Sequence, residues 1–120
     1  MQLPPRFAAY PQTHFSPRLN SNTDRVHMAW SIGPEEARHL LCGFCLWDGE
    51  SAPAKTLDYE EVIVVLKGVF GIEWGDGQRH TAHAGDVIHI PWGSTVRYFG
   101  KQARVFFTVT PPGQVLPTSS

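Results

Sequence analysis

The sequence predicts an all-β, single-domain jelly-roll barrel, and three observations carry that expectation. Short apolar runs between residues 26 and 109 are separated by turn residues, and several alternate with the period of two that marks a half-buried strand. Glycine and proline, 11 and 10 of the 120 residues, fall between those runs at turn spacing. At 42% hydrophobic, the chain is long enough for one core and too short for a second domain. Eight or so short strands with hardly any helix is the pattern of a jelly roll.

Each element follows from its residues. Residues 1–25, proline-rich and polar, read as an irregular N-terminal arm that includes His14. Val26, Met28, Trp30 and Ile32 alternate as a strand that Gly33-Pro34 ends. Pro34 to His39 reads as one helical turn with proline at its first position, or as loop. Residues 40–47 and 60–67 are the next strands, the latter apolar on both faces as inside a sandwich. Residues 69–74 and 78–83 flank Gly75-Asp76-Gly77 and form a hairpin. Residues 86–90, 95–99 and 103–109 complete a barrel spanning 26–110, and 111–120 read as a flexible tail.

Composition narrows the function classes. Ten basic and eleven acidic residues nearly cancel, so no charge field calls for nucleic acid or an anionic membrane. No apolar run approaches the roughly 20 residues of a membrane span. The opening MQLPPRFAAYPQ lacks the charged-then-apolar layout of a signal peptide, so the expected compartment is the cytoplasm. Cys42 and Cys45 lie on one strand three residues apart, on opposite faces and about 10 Å from each other, beyond disulfide reach. They read as packed strand cysteines rather than half a zinc site.

The most informative stretch is 58–93. Glu61 is followed by six residues and Gly68, and Gly85-Asp86 is followed four residues later by Pro91-Trp92-Gly93. This frame resembles the two motifs of cupins, small β-barrels that often hold a metal on three histidines and a glutamate. The histidines are replaced. The His-x-His pair falls on Lys55 and Leu57, or on Ala54 and Thr56, and the second-motif histidine falls on Val96. One carboxylate without imidazole is a poor site for a first-row metal, so no cofactor is expected and a divalent metal is disfavoured. His83 reads as solvated, and His89 as facing away from Ile88 and Ile90. A rearranged site joining His80 to Glu61 is the metal-holding alternative.

Glu61 itself points into the barrel mouth, where an ionised carboxylate is costly unless protonated, paired or bound to a cation. It should therefore show a raised pKa or a cationic partner, either Lys55 or Arg97 as a structural ion pair or a ligand amine. Beside Tyr59 and Lys55 it is equally placed to act as a general base. Trp92 and Tyr98 either stack on a ligand or close the core.

A narrower resemblance rests on Gly43-Phe44, Trp47, Thr56-Leu57, Tyr59-Glu60-Glu61, Val65-Leu66, Gly68, Ala84-Gly85-Asp86-Val87, Ile90-Pro91 and Gly93-Ser94. This set resembles the cupin domain of EutQ-type ethanolamine-utilisation proteins over residues 40–110. The resemblance implies ethanolamine breakdown, association with bacterial microcompartments, cupin dimers and an acetate kinase activity. It places Tyr59, Glu60 and Glu61 in the family's acidic cluster. No glycine-rich phosphate loop or basic cluster supports nucleotide binding. The expected function is binding of a small polar molecule in the barrel by Trp47, Lys55, Tyr59, Glu60, Glu61, His80 and Tyr98. The alternatives are an isomerase, lyase or acetate kinase-type enzyme using Glu61 as base or Mg²⁺ ligand with Tyr59 assisting, and a non-catalytic barrel docking on a shell or partner enzyme. A homodimer is expected, with the arm reaching across to the partner.

Overall fold

The computed structural model describes residues 4–12, 15–17, 26–35, 39–50 and 53–111. His14, all of 18–25, three residues of the predicted helical turn and nearly all of the predicted tail lie outside these. Among the described residues every regular element is a strand: β1 (Ser16–Pro17), β2 (Val26–Ile32), β3 (Leu41–Glu50), β4 (Lys55–Thr56), β5 (Glu61–Trp74), β6 (Gln78–His83), β7 (Val87–Ile90) and β8 (Thr95–Val109). All pairings are antiparallel, in the order β1-β2-β3-β8-β5. The far edge of β5 is shared, with β7 along Glu61–Val64 and β6 along Val69–Trp74, while β4 pairs with the start of β8.

The axis of the barrel is the long β5–β8 ribbon, in register from Glu61↔Val109 to Trp74↔Val96. It is one strand pair where the sequence suggested two. The sequence separates 60–67 from 69–74 at Gly68, where a strand must turn tightly, and leaves 100–102 between strands 95–99 and 103–109. Instead Gly68 and the Lys101-Gln102 segment are matching irregularities, with register shifts at Val65/Lys67 and Lys67/Val69 and positive φ at Gly68 (72°) and Gln102 (47°). Both strands bend at one level, so the ladder continues through the bend and the ribbon doubles over. Glu61 is level with Val109 and Tyr98 with Ile72, far apart along the ribbon, yet their side chains are hydrogen-bonded. The fold of the ribbon is what brings them together.

Strands at 26–32 and 78–83 form as predicted, and the hairpin turns at Gly75 and Gly77 with φ of 59° and 87°. β3 outruns its predicted end because, past an irregularity between Trp47 and Gly49, Glu50 still pairs with Phe99. Pro34 and Glu35 form a turn.

The core lies between the folded halves. Phe70, Leu41, Leu57, Ile63, Ile90, Val26, Val65 and Val105 are fully buried, each such side chain stabilising by roughly 1.5–3 kcal/mol. β3 shows the alternation behind this, with Leu41, Gly43, Cys45 and Trp47 buried and their neighbours half-buried. Cys45 faces the core and Cys42 the other side, and neither is in a disulfide. The arm lies over the outer face: Ser16 and Pro17 pair with Met28 and His27, and the Tyr10 ring meets Phe44 edge-on at 4.9 Å. No helix among the described residues is long and apolar enough to cross a membrane.

Candidate functional site

Residues of β1, β2, β3, β5 and β8, with the β4 segment at its edge, line a half-open cavity of about 860 Å³. Glu61 opens β5, and its side chain shares the inner face with Ile63 and Val65 because alternate residues of a strand point the same way. The carboxylate is 7% exposed. The Tyr98 hydroxyl donates to Glu61 Oε1 at 2.6 Å, a buried bond across the barrel. A hydrogen bond to a charged acceptor is short and strong, and here it offsets part of the cost of burying the carboxylate.

Lys55, one candidate partner for that carboxylate, places its ammonium 4.9 Å from the centroid of the Tyr59 ring. Arg97, the other, lies 3.9 Å from Glu73 in an exposed cluster with Arg79. Trp47 packs edge-on against Phe70 at 5.5 Å and at the same distance from Tyr98, and its indole N–H donates to Gly49 O. Trp47, Lys55, Tyr59, Glu61 and Tyr98 thus line a single cavity.

Two predicted site residues fall elsewhere. Glu60 is absent from the cavity lining: its carboxylate takes His89 Nε2 at 2.5 Å in an exposed pair, and its backbone N–H donates to Thr110 Oγ1. The cause is strand parity, since Glu60 and Glu61 are neighbours and point to opposite sides. His80 pairs with Ile72 near the far end of β5 and lines a separate apolar cavity of about 670 Å³ with Trp74, Val87, Ile88 and Ile90. The His80–Glu61 site is therefore not formed. His89 faces away from Ile88 and Ile90, as its alternation implied, and His83, just before the turn at Ala84-Gly85-Asp86, is exposed.

Sequence reasoning missed much of the wall. Trp30, Phe70 and Phe107 line the cavity, as do Met28 and Val105. Trp30 and Phe107 meet edge-on at 5.3 Å. On β8 the alternation of Val105, Phe107 and Val109 held the signal, whereas on β2 the consecutive Met28, Ala29 and Trp30 all line the cavity, which no period of two announces. Trp92, 52% exposed, is not among the lining residues.

The donor set does not suit a cupin metal. Leu57 and Val96 are buried apolar residues at histidine positions, and the Lys55 ammonium lies over a ring. Among the described residues no three His, Cys, Asp or Glu side chains gather where an ion could be held. Elemental analysis of protein purified without added metal is expected to find far less than one zinc, iron, nickel or manganese per chain. A stoichiometric metal lost on Glu61→Gln would overturn this reading.

With the geometry in place, relatives locate the chain. The ethanolamine utilisation protein EutQ family matches residues 17–115. The chain belongs to the EutQ family. It is 36% identical over 76 residues to acetate kinase EutQ of Salmonella typhimurium, which covers 63% of this chain. The chain spans only about a third of that relative's length, 32%. The EutQ structure from Clostridium difficile superposes with a TM-score of 0.71 at 27% identity, covering 85% of this chain and 77% of that one. An RmlC-like cupin from Shewanella frigidimarina, 17% identical, shares the fold at a TM-score of 0.68 over 92% and 95% of the two chains. The cupin fold expected from the motif frame and the EutQ-family membership expected from the narrower motif set are thereby established.

Proposed function

We propose that this EutQ-family barrel binds a small polar molecule within ethanolamine or related amine utilisation, without a transition metal. One observation carries the reading: a carboxylate, Glu61, buried in a cavity of ligand size and held by a tyrosine hydroxyl. Ligand sites are mostly apolar with a few placed polar groups, which describes this cavity. A buried carboxylate with no task is a poor structural choice, because an apolar residue of the same shape would be cheaper to bury.

Thermal melts with ethanolamine, acetate and related two-carbon amines and acids provide the test. A ligand at a hundred times its Kd stabilises by about 2.7 kcal/mol, a shift of several degrees for a domain this size. At least one of these compounds is expected to raise the melting temperature. If none does at millimolar concentration, and no larger or N-alkylated amine does either, the binding reading fails and docking becomes the stronger account.

A second reading comes from the Salmonella relative, named an acetate kinase. Phosphoryl transfer needs metal-bridged phosphates and a cationic clamp. Among the described residues the charged side chains of this cavity's lining are Glu61 and Lys55, a poor match to that need. The kinase reading therefore stands second, and formation of ATP from acetyl phosphate and ADP is the assay that would promote it.

The homodimer expected from the sequence is part of the proposal. Among the described residues β1 pairs with β2 at His27 and Met28, and β2 carries Trp30 at 44% exposure. An exposed indole on a strand near the edge of the sheet favours packing against a second copy. Light scattering at micromolar concentration is expected to give twice the 13.4 kDa chain mass; a monomer mass would count against it.

A further inference from the structure

The walls of the Glu61 cavity say more about its ligand than that it is polar. Six aromatic side chains contribute: Trp30, Trp47, Tyr59, Phe70, Tyr98 and Phe107. Trp47, Phe70 and Tyr98 form one cluster with centroids 5.5–6.0 Å apart. Ring faces carry negative potential and attract cations, most strongly when water is excluded. Among these rings sits the buried Glu61 carboxylate, whose field is little screened at such depth. Both features favour a positive ligand and disfavour an anion.

The cavity already shows this preference with a group of its own. The Lys55 ammonium lies over the Tyr59 ring at the cavity lining, so that ring face is sterically open to an ammonium. Lys55 is exposed and held there by a contact of modest strength, which an incoming cation can replace.

Resting on the proposed binding function, we infer that the ligand is an N-alkylated, preferentially quaternary, ammonium ion rather than a primary amine. A primary ammonium brings three N–H donors that need acceptors. Glu61 Oε1 already accepts from Tyr98, and most of the remaining wall is aromatic or aliphatic. A quaternary ammonium has no donor to satisfy and spreads its charge over methyl groups that pack on rings. About 860 Å³ also far exceeds what a two-carbon amine fills, whereas a bulkier head or a substituted cation uses the space.

The test titrates the full chain with choline, its neutral carbon isostere 3,3-dimethylbutan-1-ol, ethanolamine and acetate, by calorimetry and by tryptophan fluorescence. Choline is expected to bind at least tenfold more tightly than the isostere and more tightly than ethanolamine. It should also change the emission, because Trp30 and Trp47 line the cavity. Lys55→Met, on an exposed two-residue strand, is expected to tighten choline binding several-fold by removing the competing cation, with little effect on folding. Equal binding of choline and its isostere, or weaker choline binding in Lys55→Met, overturns the inference. Binding of ethanolamine or acetate but not choline overturns it while leaving the broader binding function intact. Binding of none of the four removes both.

Discussion

Gly68→Ala is expected to destabilise the barrel by roughly 3–4 kcal/mol, through two separable effects. At φ 72° an alanine suffers left-handed strain, worth about 1–2 kcal/mol. A Cβ at this position would also lie 2.2 Å from Gln102 O and 2.7 Å from Lys101 O. Both are backbone atoms of the partner strand, so no side-chain rotation relieves the clash and the ribbon must part at its fold. Gly75 is the control: its φ is 59°, but a Cβ there meets nothing within 4 Å. Gly75→Ala should therefore cost only the strain, about 1 kcal/mol. Urea denaturation of both variants measures the difference. Equal losses would show that the close approach at Gly68 is not tight. The effect reaches the site as well, because the same fold carries Tyr98 to Glu61.

Gly68 also shows how much of the molecule was legible. A glycine closing an apolar run signals a change of chain direction, and the sequence alone located that change correctly. Whether the strand ends there or bends and continues depends on the partner. Here Gln102 on β8 adopts positive φ opposite it, and no local pattern in Lys101-Gln102 announces that. The bounds of β2 and β6 were legible because turn chemistry, Gly33-Pro34 after one and Gly75-Asp76-Gly77 before the other, marks where each strand stops or starts. β1 and β4, two residues each, are too short for any period to register. The site divides in the same way. Glu61, Tyr59 and Lys55 are near in sequence, so the motif frame brought them together. The Glu61–Tyr98 bond spans 37 residues and exists only because the ribbon doubles over. Glu60 and His80 were assigned by similarity and by chemical type, and it was strand parity and register that removed them. Parity alone would have separated Glu60 from Glu61. His80 needed the pairing with Ile72, which depends on the whole hairpin.

Glu61→Gln and Tyr98→Phe are expected to act in opposite ways, and together they decide what the buried carboxylate is for. Glu61→Gln removes a desolvated charge yet keeps an amide oxygen able to accept from Tyr98. Its stability should stay within about 1 kcal/mol of wild type or rise. Binding of a cationic ligand should nevertheless fall at least a hundredfold, because the charge it meets is gone; a fully desolvated pair is worth about 2–5 kcal/mol when one partner is removed. Tyr98→Phe leaves the carboxylate buried with its 2.6 Å donor deleted, and should destabilise by about 1–3 kcal/mol. In the double variant that penalty should shrink, since a neutral amide tolerates the loss of one donor better than a carboxylate does. The difference between the single and combined losses is the coupling of the pair. Thermal and chemical denaturation of the four proteins, with calorimetry on each, supply the cycle. If Glu61→Gln instead costs about 3–5 kcal/mol, and the parent protein binds none of the compounds tested, Glu61 is half of a structural pair. The cavity would then be a by-product of folding the ribbon, and the surface of the barrel would be where the protein acts.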